Sequence, residues 1–391
     1  MKKLLTLIAL IPALCFGQTV TYQSLVSPTT QDTTVAKITT TPSILNYATL
    51  NQAGITFTNG TWPATINPAS INQATMVQGT TTVQLFFKPY KAPSPIPTST
   101  TIGGTISGPI TLVSNSTISG KTIDLKGAST IGINGSGVTN VHITNCKIIN
   151  TGNYAILLQK CSNITIDNCF FSNVGFGVSV KSCVGVKVNS NQFLNINGIV
   201  GGDKGHAVQF NGVSGGGNQI NNNRVENIAG VAVAPHDILN VYQSNGLQGD
   251  SIQVIGNWIR GGQIANATNN GAAGIVLADV GGSYQVARNN ILVNPGYIGI
   301  QAQGGVHIKA DHNQIYSSQT PVSLLGMGWG NYSGVASSDV VYSYNQIRWY
   351  DYNNNEHSIT PNTSGLTLIG NQTNSSAMGA GILPPVIITM K

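Results

Sequence analysis

Charge is scarce in this chain: only 8% of its 391 residues are Asp, Glu, Lys or Arg, and glutamate occurs only as Glu226 and Glu356. So few strong helix formers beside so much Gly, Asn, Ser, Thr and Val exclude long helices and favour strands and turns. The 18 basic residues are scattered against 12 acidic ones, which excludes the basic patch of a nucleic-acid-binding surface. Beyond the N-terminus no run approaches the roughly 18 apolar residues of a membrane helix.

The N-terminus reads as a leader. "MKK" precedes the apolar "LLTLIALIPALCFG", and Gly17 stands at a plausible cleavage point before Gln18. The expectation is a signal peptide over 1–17 and a secreted or cell-surface mature chain. Cys15 lacks the small residue that a lipobox places before its cysteine, which argues against a lipoprotein.

Periodicity carries the fold. "NVHITNCKIINTGNYAILLQKC", "NITIDNCFFSNVGFGVSVKSC" and "GVKVNSNQFLNING" share alternating apolar positions and a turn residue at Cys146, Cys169 and Asn191. The signature continues at Asn223, Asn257, Asn289, Asn313, Asn345 and Asn371. Alternation with a recurring corner Asn predicts a parallel β-helix, each coil pairing its backbone with the next. Asn tolerates left-handed turns, and its amide can bond the same position one coil away.

Residues 102–375 resemble the right-handed parallel β-helix proteins with pectate-lyase-like repeats. The resemblance implies long grooved surfaces used on polysaccharides, in a fold also used by adhesins, phage spikes and structural proteins. Residues 18–87 read as a small β-rich region, 88–101 as a Pro- and Thr-rich linker, and 376–391 as an apolar tail or cap over the last coil. Of the mature cysteines, Cys146 and Cys169 lie one coil apart, as do Cys161 and Cys183. Each pair either stacks reduced in the core, the favoured reading, or forms an inter-coil disulfide. No CxxC spacing or nearby His accompanies them, so no zinc site is expected there.

The second strand of each coil aligns "HAVQF" from 206 with "DILNV" from 237, placing His206 and Asp237 at equivalent positions on successive coils. The inserts "GIVGGDKG", "AGVAVAPH" and "GGQIANATNNGAA" all precede that strand and predict a wall of long loops beside it. Outward positions Ser179, Gln209, Asn240 and Gln301, with Lys181, Asn211 and Tyr242, predict a polar strip suited to a hydrated glycan. Pro235-His236-Asp237 is similar to part of the Asp-Pro-His-Asp motif of mannuronan epimerases, but Ala234 stands where that family has a carboxylate.

Proton abstraction next to a uronate carboxylate needs a base, an acid and a neutraliser of the growing charge. The candidates are His206 or His236 as base, Lys204 as neutraliser, Tyr242 or the other imidazole as acid, and Asp237 orienting an imidazole. Asp203, Gln209, Asn211, Asn240 and Lys181 are candidate substrate contacts. A hydrolase would use two carboxylates, for which Asp203 and Asp237 are the nearest pair. Asp203, Asp237, Asp250 and Asp279 form no clustered calcium motif, and neither metal nor cofactor is expected. The expected partner is a polysaccharide, modified by epimerisation or β-elimination. The alternative is a non-catalytic adhesin or structural β-helix that only binds glycan.

Overall fold

The structure is a computed structural model that describes residues 102–199, 205–228, 231, 235–262, 273–331, 333–361 and 364–390, and the backbone of six strands before residue 89. The chain divides into two units, 1–95 and 96–391. In the first, strands Leu5–Pro12, Thr19–Val26, Thr33–Thr40, Thr81–Lys88, Asn72–Gln78 and Asn59–Thr61 pair antiparallel in that spatial order. Leu5–Pro12 is the edge strand of this sheet, so cleavage after Gly17 would leave five strands.

The second unit is a solenoid with three strand faces per coil, every coil pairing parallel with the next. Face one runs from Lys121–Asp124 through Arg224–Glu226 and Trp258–Arg260 to Gln346–Trp349. Its inward column is Ile123, Ile148, Phe171, Phe193, Val225, Ile259, Leu292, Ile315 and Ile347, in unbroken register and fully buried. Phe171 and Phe193 stack with centroids 4.7 Å apart. Period-two alternation in the sequence thus becomes a continuous apolar ladder, because each inward side chain lies over its equivalent about 4.8 Å along the axis.

The corner between faces three and one is an Asn ladder. The backbone N–H of Asn191 donates to Asn223 Oδ1, that of Asn223 to Asn257, Asn257 to Asn290, Asn290 to Asn313, Asn313 to Asn345 and Asn345 to Asn371, at 2.9–3.1 Å. Side-chain amides run the same way. The ladder member is Asn290, not the expected Asn289. Asn289 instead has φ 55°, matching Asn145, Asn168, Ser190, Asn222, His312 and Tyr344, which also precede the ladder position with φ between 50° and 59°. Two adjacent asparagines hide which one turns the chain and which one stacks.

Cys169 and Cys146 extend this ladder as buried thiols: the Cys169 N–H donates to Asn191 Oδ1 and the Cys146 N–H faces Cys169 Sγ. Cys161 and Cys183 stack likewise at another corner. Burial pushes Cys183 up to about 12, so it stays a protonated, inert thiol.

The C-terminal tail does not cover the last coil. It returns along the outer side of face one, where Leu383, Ile387, Ile388 and Met390 bury against Phe170 and Val293. The N–H groups of Thr389 and Met390 donate to Gln192 Oε1 at 2.7 and 2.9 Å. Arg260 Nη1 holds the Pro385 carbonyl and also pairs with Glu226. Face one has outward apolar positions such as Phe170 and Trp258, and the tail shields them from water. Among the described residues no helix is long and apolar enough to cross a membrane.

Candidate active site

Face two carries the site. Its strands pair Val178–Lys181 of one coil with Val208–Asn211, then with 239–242 and 275–277. Val180, Phe210 and Val241 point inward, as the alternation predicts, and are fully buried. The opposite column is Ser179, Gln209, Asn240, Val276 and Gln301. The expected solvent-facing strip is corrected here: Ser179 and Asn240 are buried, while Gln209 and Gln301 remain partly accessible.

Two bulges reshape this face where the coils lengthen. Val208 pairs with Leu239, yet Gly205 bridges Pro235, so the later coil fits one more residue between the two contacts than the earlier one does. The extra residue sets His236 as well as Asp237 beside His206, so the expected one-to-one match of His206 with Asp237 holds only from the strand side. The rings of His206 and His236 meet edge to face at 5.5 Å, and Phe176 packs against His206 at 5.0 Å.

The second bulge lies one coil on. Asn240 pairs with Val276, but Tyr242 pairs with Asp279, one residue later than alternation requires. Ala278 and Val280 both have positive φ, 48° and 55°, a costly conformation for a β-branched residue. Ala278 is buried, its N–H held by Gln285 Oε1 at 2.7 Å, and the inserted residue turns Asp279 outward beside Tyr242. Bulges commonly re-aim side chains at functional sites in this way.

The resulting open cleft, about 360 Å³, is lined by Phe176, Lys181, His206, Gln209, Asn211, His236, Asp237, Asn240, Tyr242 and Asp279. Eight of the ten residues singled out from the sequence therefore share one cleft. Asp203, Lys204 and Ala234, and most of the three inserted loops, lie outside the described residues. Phe176 and Asp279 were not among the candidates. Phe176 was legible only as one more apolar residue, and alternation would have turned Asp279 inward.

A network anchors the titratable groups. His206 Nδ1 lies 2.6 Å from the main-chain oxygen of Asp237. A carbonyl only accepts, so this nitrogen carries the proton and Nε2 is the basic one in the neutral ring. Asp237 Oδ2 accepts from Asn240 Nδ2 at 2.9 Å and lies 3.4 Å from His236 Nδ1, while Oδ1 accepts the Ala273 N–H. Asn240 Nδ2 also donates to Asp279 Oδ2 at 2.9 Å, joining the two carboxyls through one amide. Lys181 Nζ lies 5.3 Å over the Tyr154 ring and 3.5 Å from its hydroxyl.

The two carboxyls are pushed apart. Burial raises Asp237, but the hydrogen bond and charge of His236, the charge of His206 and the Ala273 N–H outweigh it and hold the group below the usual carboxylate range. Burial, reinforced by the negative charge of Asp237, lifts Asp279 to about 6 against the opposing Asn240 and His236 contacts. Asp237 is thus a fixed anion, whereas Asp279 exchanges its proton near neutrality.

Comparison with known proteins places the fold. Residues 105–265 match the family model described as the right handed beta helix region. No curated protein matches the chain. Among solved structures, a tailspike protein of E. coli bacteriophage HK620 in complex with a pentasaccharide aligns at 15% identity over 68% of this chain, TM-score 0.44, and the chain spans about half, 51%, of its length. An alginate lyase from Paenibacillus aligns at 11% identity over 65% of this chain and 89% of that one, TM-score 0.32. The mannuronan C-5 epimerase A-module of Azotobacter vinelandii aligns at 12% identity over 67% and 80%, TM-score 0.19. With its parallel coils, three faces and corner ladder, the solenoid of this chain is a right-handed parallel β-helix.

Proposed function

We propose that the protein is a secreted or cell-surface enzyme that binds an acidic polysaccharide along face two and cleaves it by β-elimination. The observation that carries this reading is the pairing of Tyr242 with Asp279 across adjacent strands, in the cleft that also holds His206 and His236. Elimination next to a uronate carboxylate is best served by a base that ionises near the working pH, and Asp279 at about 6 suits that role.

In this reaction the Asp279 carboxylate takes the proton from the carbon bearing the substrate carboxylate. The bond to the leaving glycosidic oxygen breaks, a carbon–carbon double bond forms, and the leaving oxygen receives the Tyr242 proton. The imidazoles of His206 and His236, oriented by Asp237, face the substrate carboxylate and stabilise its growing negative charge. Lys181, Gln209 and Asn211 are placed to bind neighbouring sugar hydroxyls and carboxylates. Epimerisation needs its acid on the opposite face of the ring, and the register pairing of Tyr242 with Asp279 favours elimination over it.

The test is incubation with a panel of uronate polymers, following ultraviolet absorbance of unsaturated sugars, new reducing ends and deuterium uptake at the carbon next to the carboxylate. Unsaturated products with matching reducing ends are expected. Deuterium exchange without cleavage would replace elimination by epimerisation. Reducing ends without unsaturation would make it a hydrolase, and binding without turnover would leave an adhesin.

A further inference from the structure

We propose that His206, His236 and Asp237 form a binding site for one divalent transition-metal ion of the zinc type. Each offers one ligand atom, and the three atoms lie within 4.8 Å of one another. Among the described residues this is the one place where three such groups converge. The other histidine contacts differ: His142 meets Asp167 and His307 meets Asp339 as pairs, and His312 meets Asp311, which Arg288 already engages through two nitrogens.

The donor set selects the ion. Two imidazoles and one carboxylate suit zinc and its neighbours, whereas calcium and magnesium prefer shells made of oxygen. Three protein ligands also leave a coordination position open, the pattern of catalytic zinc sites.

The surroundings orient the ligands as a metal requires. His206 spends its Nδ1–H on the Asp237 carbonyl, which presents Nε2 as its donor atom. Asp237 is held by Asn240 Nδ2 and the Ala273 N–H, one on each oxygen, and retains lone pairs for an ion. Phe176 backs the His206 ring. The site escapes a search for metal-ligand spacing because His206 and His236 stand a whole coil apart in sequence, and the winding of the solenoid supplies the proximity. The open position would take a carboxylate of the glycan; that part rests on the elimination reading, whereas ion binding does not.

The full chain, stripped with a chelator and dialysed, is equilibrated with Zn²⁺, and bound metal is counted by mass spectrometry. Co²⁺ absorption in the visible range gives an independent readout of coordination. About one ion per chain is expected, with a melting temperature raised by Zn²⁺. His236→Asn and His206→Asn, each verified as folded by circular dichroism, should weaken Zn²⁺ binding by at least about 100-fold, since loss of supporting partners alone costs roughly 10- to 100-fold. His142→Asn should bind as the unmodified chain does. The proposal is overturned if the unmodified chain binds Zn²⁺ no more tightly than His236→Asn, or if both cleft variants keep full affinity. If uronate polymers are cleaved by a chain that binds no Zn²⁺, the metal assignment falls and elimination stands; if Zn²⁺ binds as predicted and no polymer is cleaved, the reverse holds.

Discussion

Residues 121–199 and 205–288 are built on the same ladder, yet the second stretch supplies most of the cleft and the first only Phe176 and Lys181. In the first, the equivalent corner residues Cys146, Cys169 and Asn191 recur at short, nearly equal intervals. Its register shift falls between Thr151 and Tyr154, before the face-two strand, which then runs in register. In the second, the ladder interval lengthens, from Asn223 to Asn257 and on to Asn290, and the shifts fall inside face two or at its entrance. Faces one and three keep their pairing through both stretches. A solenoid can thus insert residues at one corner and bulge one face without disturbing the others, because each face is stabilised by its own neighbours along the axis.

The largest effect should come from the bulged strand. Asp279→Asn is expected to lower turnover on a uronate polymer by about 100-fold or more, the usual contribution of a general base. The mirror change in the regular coils, Asp167→Asn beside His142, should leave turnover unchanged. Equal losses would mean that the cleft is not the reacting site.

Core positions should make the two stretches alike again. Phe210→Ala, in the fully buried inward column, should cost about 3–5 kcal/mol in denaturant unfolding. Retained stability there would place the inward face of the strand wrongly. The corner should separate the stretches by less. Asn257→Ala removes the acceptor of the Asn223 N–H and the donor to the Ile220 carbonyl, and is expected to cost about 2–4 kcal/mol. Cys169→Ala removes a long sulfur contact to the Cys146 N–H and weak thiol contacts to the Asp167 and Ile143 carbonyls, and should cost about 1 kcal/mol or slightly more.

The pH response is a smaller, signed test. The folded value of Asp279, about 6, lies above the ordinary 3.8, so the folded state binds this proton more tightly than the unfolded chain. Its contribution to stability is fully present below the ordinary value and is lost as pH rises through about 6. Asp279→Asn should therefore raise the melting temperature at pH 7 and have little effect on it at pH 4, while turnover by the unmodified enzyme rises with pH through the same range. A melting temperature lowered by Asp279→Asn at pH 7 would refute the raised value. The smallest effect is expected for Gln209→Ala, next to Phe210 but facing the cleft: under about 0.5 kcal/mol in stability, with weaker glycan binding.

Seven of the eight cleft candidates were legible because the repeat aligns strands that are far apart in sequence, so Lys181, Asn211 and Tyr242 could be placed on one edge by counting; His236 was singled out by the Pro-His-Asp triplet instead. Asp279 was not legible, since alternation counts residues and a bulge adds one without marking it. Asn289 and Asn290 show the same weakness at the corner, where both residues suit a turn and only hydrogen bonding along the axis tells them apart. The course of the tail was hidden for a different reason. Its apolar character is plain in the sequence, but which apolar surface it covers depends on face one, assembled from many successive coils.

The sequence by itself determined the parallel coils, the inward columns and the corner ladder, because period-two alternation and a recurring turn residue are local properties that each coil repeats. Only the tertiary structure decided which side chains meet in the cleft. The meeting of His206 with His236 and of Tyr242 with Asp279 depends on two one-residue register shifts, set by backbone pairing between coils and by the positive φ angles at Ala278 and Val280. Burial pushes both carboxyls up, but the neighbouring imidazoles and the Ala273 N–H hold Asp237 as an anion and leave Asp279 to exchange its proton, a difference that the two identical side chains do not carry in sequence.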